Sequence, residues 1–187
     1  MAFAAKGARA ARERSPDSEA LADPEGREPE ADPVESAKRI VMQQLSVSAK
    51  SRHQLAQVLA RRAVPESAAE AALDRFTELG YIDDAVFARS WVESRQRSRG
   101  LAGSALRREL REKGIDAEII DAVLIECVDP DAERVAAAAL VDKKLRSMRG
   151  VNAETATRRL VSMLARKGYS PGLAYTVVRE QLAASGG

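Results

Sequence analysis

Apolar residues recur three or four positions apart from residue 35 to near the end of the chain. That period is typical of amphipathic helices, and the strand formers Val, Ile, Tyr, Phe and Trp nowhere gather into alternating runs. Capping residues, prolines and glycines divide the pattern into segments. We therefore predict an all-α chain of nine helices, at about residues 35–46, 52–63, 66–79, 84–98, 103–113, 117–127, 131–148, 153–167 and 171–183.

The helical pattern repeats with spacings of 51 and then 54 residues, within the range of helical arrays. The three copies are Leu55, Leu59, Arg62, Ala63, Val64; Leu106, Leu110, Lys113, Gly114, Ile115; and Leu160, Leu164, Lys167, Gly168, Tyr169. We predict three tandem three-helix modules, 35–82, 83–128 and 129–187, the last with a short flexible C-terminus. Because each core is small, neighbouring modules should stack into an elongated, curved molecule.

Helix punctuation agrees with this division. Ser51 with Gln54 forms a capping-box pattern, and further N-caps are expected at Asp116, Asn152 and Ser170. First-turn positions suit Pro65, Pro130 and Pro171. Left-handed helix ends are expected at Gly80, Gly100, Gly114, Gly150 and Gly168. Ala63 departs from the glycine rule, so its turn should be built differently or its helix should end less sharply.

Residues 1–34 differ in composition from the rest of the chain. They hold four prolines, five of the chain's 30 basic residues and eight of its 28 acidic residues. The rest of the chain therefore has 25 basic and 20 acidic residues, a net charge of +5. We predict a disordered tail, because so few apolar side chains cannot offset the entropy of ordering. The run Lys6, Arg9, Arg12, Arg14 is compatible with a basic arm or a targeting peptide, but nearby acids favour a solvated tail.

Little in the composition points to catalysis or to a membrane. Cys127 is the only cysteine and His53 the only histidine, so no metal or nucleophilic site is expected; Cys127 should be a small core residue and His53 a solvated one. We see no phosphate loop and no nucleophile elbow. No segment approaches the roughly 20 apolar residues of a membrane span, and we expect a cytoplasmic protein without cofactor or metal.

The most distinctive segment runs from Leu79 to Trp91 and reads Leu-Gly-Tyr-Ile-Asp-Asp-Ala-Val-Phe-Ala-Arg-Ser-Trp. Gly80 should stop one helix, and Asp83 or Asp84 should cap the next, a more plausible role than paired metal ligands. Three aromatic residues fall here and a fourth lies just upstream, and we predict that the four form a hydrophobic hinge core between modules 1 and 2: Phe76, Tyr81, Phe87 and Trp91. If Trp91 is buried in that core, Trp91→Ala should cost about 3–5 kcal/mol.

The same segment resembles the hallmark of the regulatory protein RecX family. The resemblance continues through the basic stretch Arg95 to Arg99 and through Leu106, Glu109, Leu110, Lys113, Gly114 and Ile115, which look like the family's Leu-x-x-Glu-Leu-x-x-Lys-Gly-Ile element; it covers residues 35–183. It implies three repeated three-helix units and structural roles for Gly80, Tyr81, Asp83, Asp84, Phe87, Trp91, Leu110 and Gly114. It also implies a regulator that binds the groove of the RecA filament on single-stranded DNA and limits filament growth, ATP hydrolysis and strand exchange, within DNA repair and the SOS response.

Two basic stretches are the candidate binding surfaces. The first comprises Arg95, Arg97, Arg99, Arg107, Arg108, Arg111 and Lys113, and the second Lys143, Lys144, Arg146, Arg149, Arg158, Arg159, Arg166 and Lys167. In the first stretch, two arginine-bearing helix faces should converge around the Gly100 turn. Arginine suits both phosphates and carboxylates, although charge runs on helices are often only solvated faces.

Two functions follow from these observations. The leading one is a monomeric, non-enzymatic regulator that binds the RecA filament, with single-stranded DNA bound weakly at most in the absence of RecA. The alternative is a direct DNA-binding protein that uses its three-helix units like helix-turn-helix domains. The modest net charge and the lack of a clustered base-reading set of Asn, Gln and Arg argue against the alternative.

Overall fold

The structure, a computed structural model, describes residues 32–148 and 150–185 of the chain. Residues 1–31 of the tail predicted for residues 1–34 lie outside this part, and so does Arg149. Within the described residues the chain forms nine α-helices and no strand, which confirms the predicted fold class. The helices are α1 (Pro33–Val47), α2 (Arg52–Arg61), α3 (Glu66–Glu78), α4 (Asp84–Arg99), α5 (Gly103–Glu112), α6 (Ala117–Cys127), α7 (Pro130–Leu145), α8 (Ala153–Arg166) and α9 (Pro171–Ser185).

Helix α1 begins two residues before its predicted start. The Asp32 carboxylate accepts the N–H of Val34 at 2.9 Å, and Pro33 takes a first-turn position, where a missing N–H costs nothing. The capping box of Ser51 and Gln54 and the N-caps at Asp116 and Asn152 are confirmed.

Three consecutive helices form each module, and each module has its own apolar core. The repeated leucines are fully buried at its centre: Leu55 and Leu59 in module 1, Leu106 and Leu110 in module 2, and Leu160 and Leu164 in module 3. The helices pack mainly against the other two helices of their own module. The periodic apolar pattern therefore encodes three small cores in sequence.

The modules meet through the ends of their middle helices, α2, α5 and α8. At the first junction, the Ser51 hydroxyl donates to the Lys113 carbonyl at 2.6 Å, which joins the start of α2 to the end of α5. At the second, the Ala102 N–H donates to the Lys167 carbonyl at 2.8 Å, joining α5 to α8. The carbonyl end of each helix thus faces the amide end of the one before it, an arrangement that the helix dipoles favour.

A carboxylate from the following module also caps each of these amide ends. Asp84 accepts the N–H of Arg52 at 2.9 Å, and Glu133 accepts the N–H of Gly103 at 2.8 Å. The second junction has further contacts, including Ser104 Oγ donating to the Gly168 carbonyl at 2.8 Å. The two junctions are therefore built on the same plan.

This plan explains where glycine is required. A Cβ on Gly114 would lie 2.2 Å from His53, and one on Gly168 would lie 2.4 Å from the Ala105 nitrogen. Ala63 adopts the same left-handed backbone, with φ of 55°, so the expectation of a different turn is wrong. Its side chain is exposed at an end of α2 that meets no other module, so only backbone strain opposes alanine there.

The predicted hinge core between modules 1 and 2 is wrong. Phe76 is buried in the module 1 core beside Tyr81, with ring centroids 5.8 Å apart, whereas Phe87 belongs to the module 2 core and stacks on Trp91 at 5.9 Å. The chain between the two aromatic pairs carries Asp83 and Asp84, whose carboxylates accept backbone N–H groups at the starts of α4 and α2. Trp91 is half-buried on module 2.

Candidate functional site

The first basic stretch is organised around Glu109 on α5. This carboxylate, whose side chain is 16% exposed, accepts the Trp91 indole N–H and the Arg95 Nε–H, each at 2.9 Å, and pairs with Arg99 at 3.1 Å. The Arg95 guanidinium lies 3.9 Å from the centroid of the Trp91 ring, and the Lys113 ammonium 4.7 Å from it. We call these five residues the Glu109 cluster.

The Glu109 cluster holds three cations and one carboxylate. Charge-assisted hydrogen bonds and cation–π contacts fix Arg95 and the indole in place, so these groups already have partners within the module. In the sequence, Glu109 lies in the element that resembles the RecX family, but its partners were not predicted. Its partners lie 10 to 18 residues away on another helix, a relation that helical periodicity does not contain.

The other arginines of the first stretch do not join this cluster, so the predicted convergence of two arginine faces around Gly100 is wrong. Arg107 turns to α6 and pairs with Asp121, and Arg108 pairs at 4.0 Å with Glu112, one turn along α5. Arg97 and Arg111 are exposed, and neither forms an ion pair within the described part of the chain. Most arginines of module 2 are thus paired with carboxylates of the same module.

The second basic stretch is different. A surface groove of about 660 Å³ between α7 and α8 is lined by Lys144, Arg158, Arg159, Ser162, Met163 and Arg166. None of these residues is acidic, and none of the four cations has a carboxylate partner among residues 32–148 and 150–185. Arg166 donates to Ser162 Oγ at 2.7 Å. We call this surface the module 3 groove; its cations are available to an external anion.

Three further predicted cations lie outside the lining of the groove. Lys143 and Arg146 are exposed on or just after α7, and Lys167 lies at the junction, where its ammonium donates to the Arg99 carbonyl. Burial, helped by the charges of Arg99 and Lys143, lowers the pKa of Lys167. Lys167 is therefore a junction residue rather than part of the open surface.

Gly80 and the two aspartates of the segment from Leu79 to Trp91 lie at helix ends. Asp83 caps α4 by accepting the N–H groups of Ala85 and Val86, which confirms a cap at this pair, while Asp84 caps α2 of module 1. Gly80 has φ of 73° as predicted, and Tyr81 is 67% exposed. The cross-junction role of Asp84 was not predicted, because it depends on a helix 32 residues earlier.

The histidine and the cysteine lie in different modules, His53 on α2 and Cys127 on α6. His53 is exposed and contacts Gln57 Nε2 at 2.9 Å. Cys127 is half-buried at the edge of the module 2 core rather than inside it, and burial raises the pKa of its thiol, which disfavours the nucleophilic thiolate. In the described residues no group of three or more His, Cys, Asp or Glu side chains is arranged to hold a metal ion, and no helix there is long and apolar enough to cross a membrane.

Sequence reasoning also missed a cleft of about 360 Å³ between α8 and α9. It is lined by Thr157, Tyr175, Thr176, Arg179 and Leu182. The one signal in the sequence is the spacing of Tyr175, Arg179 and Leu182, which places all three on one helical face.

Comparison with protein-family models gives three matches in chain order. The model described as the first three-helix domain of RecX matches residues 37–76, the second 83–124 and the third 132–178. Each match falls within one of the modules described above.

Curated relatives match most of the chain under the name Regulatory protein RecX. The Streptomyces coelicolor protein is 49% identical over 159 residues, covering 85% of this chain and 84% of its own. The Thermobifida fusca protein is 46% identical, covering 80% of each. A crystal structure of RecX from Lactobacillus salivarius superposes with a TM-score of 0.74 at 20% identity, covering 82% of this chain and 99% of that one, which supports the fold.

Proposed function

The chain belongs to the RecX family of regulatory proteins, and we propose that it regulates the RecA recombinase by binding the groove of the RecA filament on single-stranded DNA. In this proposal it limits filament extension, ATP hydrolysis and strand exchange, as a non-enzymatic, cytoplasmic monomer acting in DNA repair and the SOS response. The proposal assigns the main filament contact to the module 3 groove.

The observation that carries this assignment is the difference in pairing between the two basic stretches. In module 2, Arg95 and Arg99 share Glu109 and Arg107 holds Asp121, whereas the four cations of the module 3 groove have no carboxylate partner in the described part. A nucleoprotein filament offers phosphates and carboxylates. Cations without an internal partner bind such anions without first breaking an ion pair.

The experiment measures single-strand-dependent ATP hydrolysis by the cognate RecA while this protein is titrated to substoichiometric levels. One variant reverses Arg158, Arg159 and Arg166 to Glu; a control with the same change in net charge reverses Arg39, Arg61 and Arg62, which are exposed on module 1 and form no ion pair within the described residues. Because one charge-assisted hydrogen bond is worth about 1.5–3 kcal/mol, the groove variant should need at least about 10-fold more protein for half-inhibition.

The control should inhibit like the unaltered chain, and both variants should keep their helicity. Equal inhibition by the groove variant would exclude the module 3 groove as the contact, and no inhibition by the unaltered chain would contradict the proposed regulation itself. Reversal of Arg107, Arg108 and Arg111 in module 2 would be a less clean test because it also breaks the Arg107–Asp121 pair.

Direct reading of duplex DNA has less support. In a helix-turn-helix unit the last helix enters the major groove, but the corresponding helices of modules 1 and 2, α3 and α6, are acidic, and α9 of module 3 carries one arginine and one glutamate. The acidic residues are Glu66, Glu70, Asp74 and Glu78 on α3, and Glu118, Asp121 and Glu126 on α6. These carboxylates would face the phosphates of a duplex. Weak binding to bare duplex DNA is therefore expected, and tight binding in that assay would favour the alternative.

A further inference from the structure

The cleft between α8 and α9 combines an exposed aromatic ring with a cation. Tyr175 is 60% exposed, and Arg179 lies one turn along the same face of α9. Thr157 and Thr176 add hydroxyl groups, and Leu182 adds an apolar wall. A ring that is largely exposed within a polar, cationic cleft offers a flat surface on which another planar group can stack.

The cleft adjoins the module 3 groove across α8. Thr157 lines the cleft and the next residue, Arg158, lines the groove, so the two surfaces lie on adjacent faces of one helix. No residue lining either surface is acidic. Arg179 is exposed, and within the described residues it forms no ion pair.

These chemistries together select the ligand. An amphipathic partner helix needs a continuous apolar stripe, but the cleft offers only Tyr175 and Leu182 as large apolar groups. A chain that alternates planar groups with anions matches a ring beside a row of arginines. Single-stranded nucleic acid is such a chain, because its bases are free to stack while its phosphates pair with cations.

We propose that this cleft is a base-stacking site for single-stranded nucleic acid. One base lies on the Tyr175 ring, Arg179 pairs with an adjacent phosphate, and the strand continues over α8 to the cations of the module 3 groove. The site deepens the proposed function, on which it rests for its expected partner, the strand within a filament. Duplex DNA does not use the cleft, because its bases are stacked inside.

The test uses the full chain without RecA, so that its failure is distinguishable from failure of the proposed regulation. Fluorescence anisotropy measures binding to a 20-nucleotide oligothymidine and to an abasic strand with the same number of phosphates, both at low salt. The variants are Tyr175→Ala and Tyr175→Phe, with Tyr81→Ala as control because Tyr81 is similarly exposed on module 1. Circular dichroism checks the helicity of each variant.

We expect Tyr175→Ala to weaken oligothymidine binding by about 5-fold to 150-fold, corresponding to the ~1–3 kcal/mol of one stacked base. Its binding to the abasic strand should not change, and Tyr175→Phe and Tyr81→Ala should bind like the unaltered chain. The proposal is overturned if the unaltered chain binds both strands equally, if Tyr175→Ala retains full affinity, or if Tyr175→Phe loses as much as Tyr175→Ala. It is equally overturned if Tyr175→Ala weakens RecA inhibition but not strand binding, which would make the cleft a protein contact.

Discussion

Replacing Gly168 by alanine tests how closely modules 2 and 3 approach each other. The new Cβ would lie 2.4 Å from the Ala105 nitrogen and 2.6 Å from the Ala105 Cβ, and backbone atoms cannot swing aside. A left-handed backbone costs an alanine about 1–2 kcal/mol, and forcing an extra carbon into a packed site costs about 1–3 kcal/mol. We therefore expect Gly168→Ala to lower the free energy of unfolding by about 2–5 kcal/mol.

Gly80→Ala is the matched control. Gly80 has a similar left-handed φ, 73°, but an added Cβ would meet nothing within 4 Å, so only the backbone term of about 1–2 kcal/mol applies. Urea denaturation followed by circular dichroism measures both variants. Hydrogen exchange of the Ala102 amide, which donates to the Lys167 carbonyl across the junction, should accelerate only in Gly168→Ala. Equal costs for the two variants, with Ala102 still protected, would refute a tight junction.

Three further predictions concern the same modules. Glu109→Ala should cost about 1.5–3 kcal/mol in thermal unfolding because it leaves Arg95 and the indole without their acceptor, whereas Glu112→Ala, in an exposed pair, should change stability by less than about 1 kcal/mol. Trp91→Ala should cost about 2–4 kcal/mol, below the value for a fully buried tryptophan, and a tolerant site would mean that the ring contributes no packing. Burial raises the pKa of Tyr169 in the folded protein. The contribution of this residue to stability is therefore complete below about pH 10, the ordinary pKa of tyrosine, and is lost as the pH rises through the folded pKa. Tyr169→Phe should abolish that loss when the unfolding midpoint is measured as a function of pH.

The cores were predictable because their information is local. Leu106 and Leu110 lie one turn apart, and their burial follows from helical periodicity and from the copies at Leu55, Leu59, Leu160 and Leu164. The helix ends were predictable for the same reason, since a cap or a left-handed glycine acts within a few residues. Ala63 was misjudged: it lacks the glycine signal, yet it adopts the same left-handed conformation as the glycines.

The candidate site was less predictable because charge pairing is not local. The seven cations of the first stretch are similar in sequence, yet Arg95 pairs with a partly buried carboxylate on another helix, whereas Arg111 pairs with no carboxylate in the described part. The cleft at Tyr175 depends on how α9 lies against α8. Tertiary packing decides which cations remain available to an external anion. A count of arginines along the chain does not contain that information.

Because the two junctions are built alike, they show where a further module could be inserted into the array. The middle helix of each added module must end at a glycine, as α5 does at Gly114 and α8 at Gly168, because the junction leaves no room for a Cβ. Duplication of module 2 in place would satisfy that rule at both of its ends, so an insertion of one whole repeat is the length change that this architecture tolerates best. A repeat placed ahead of module 1 would instead meet the Ala63 methyl, so we expect an insertion there to be less well tolerated.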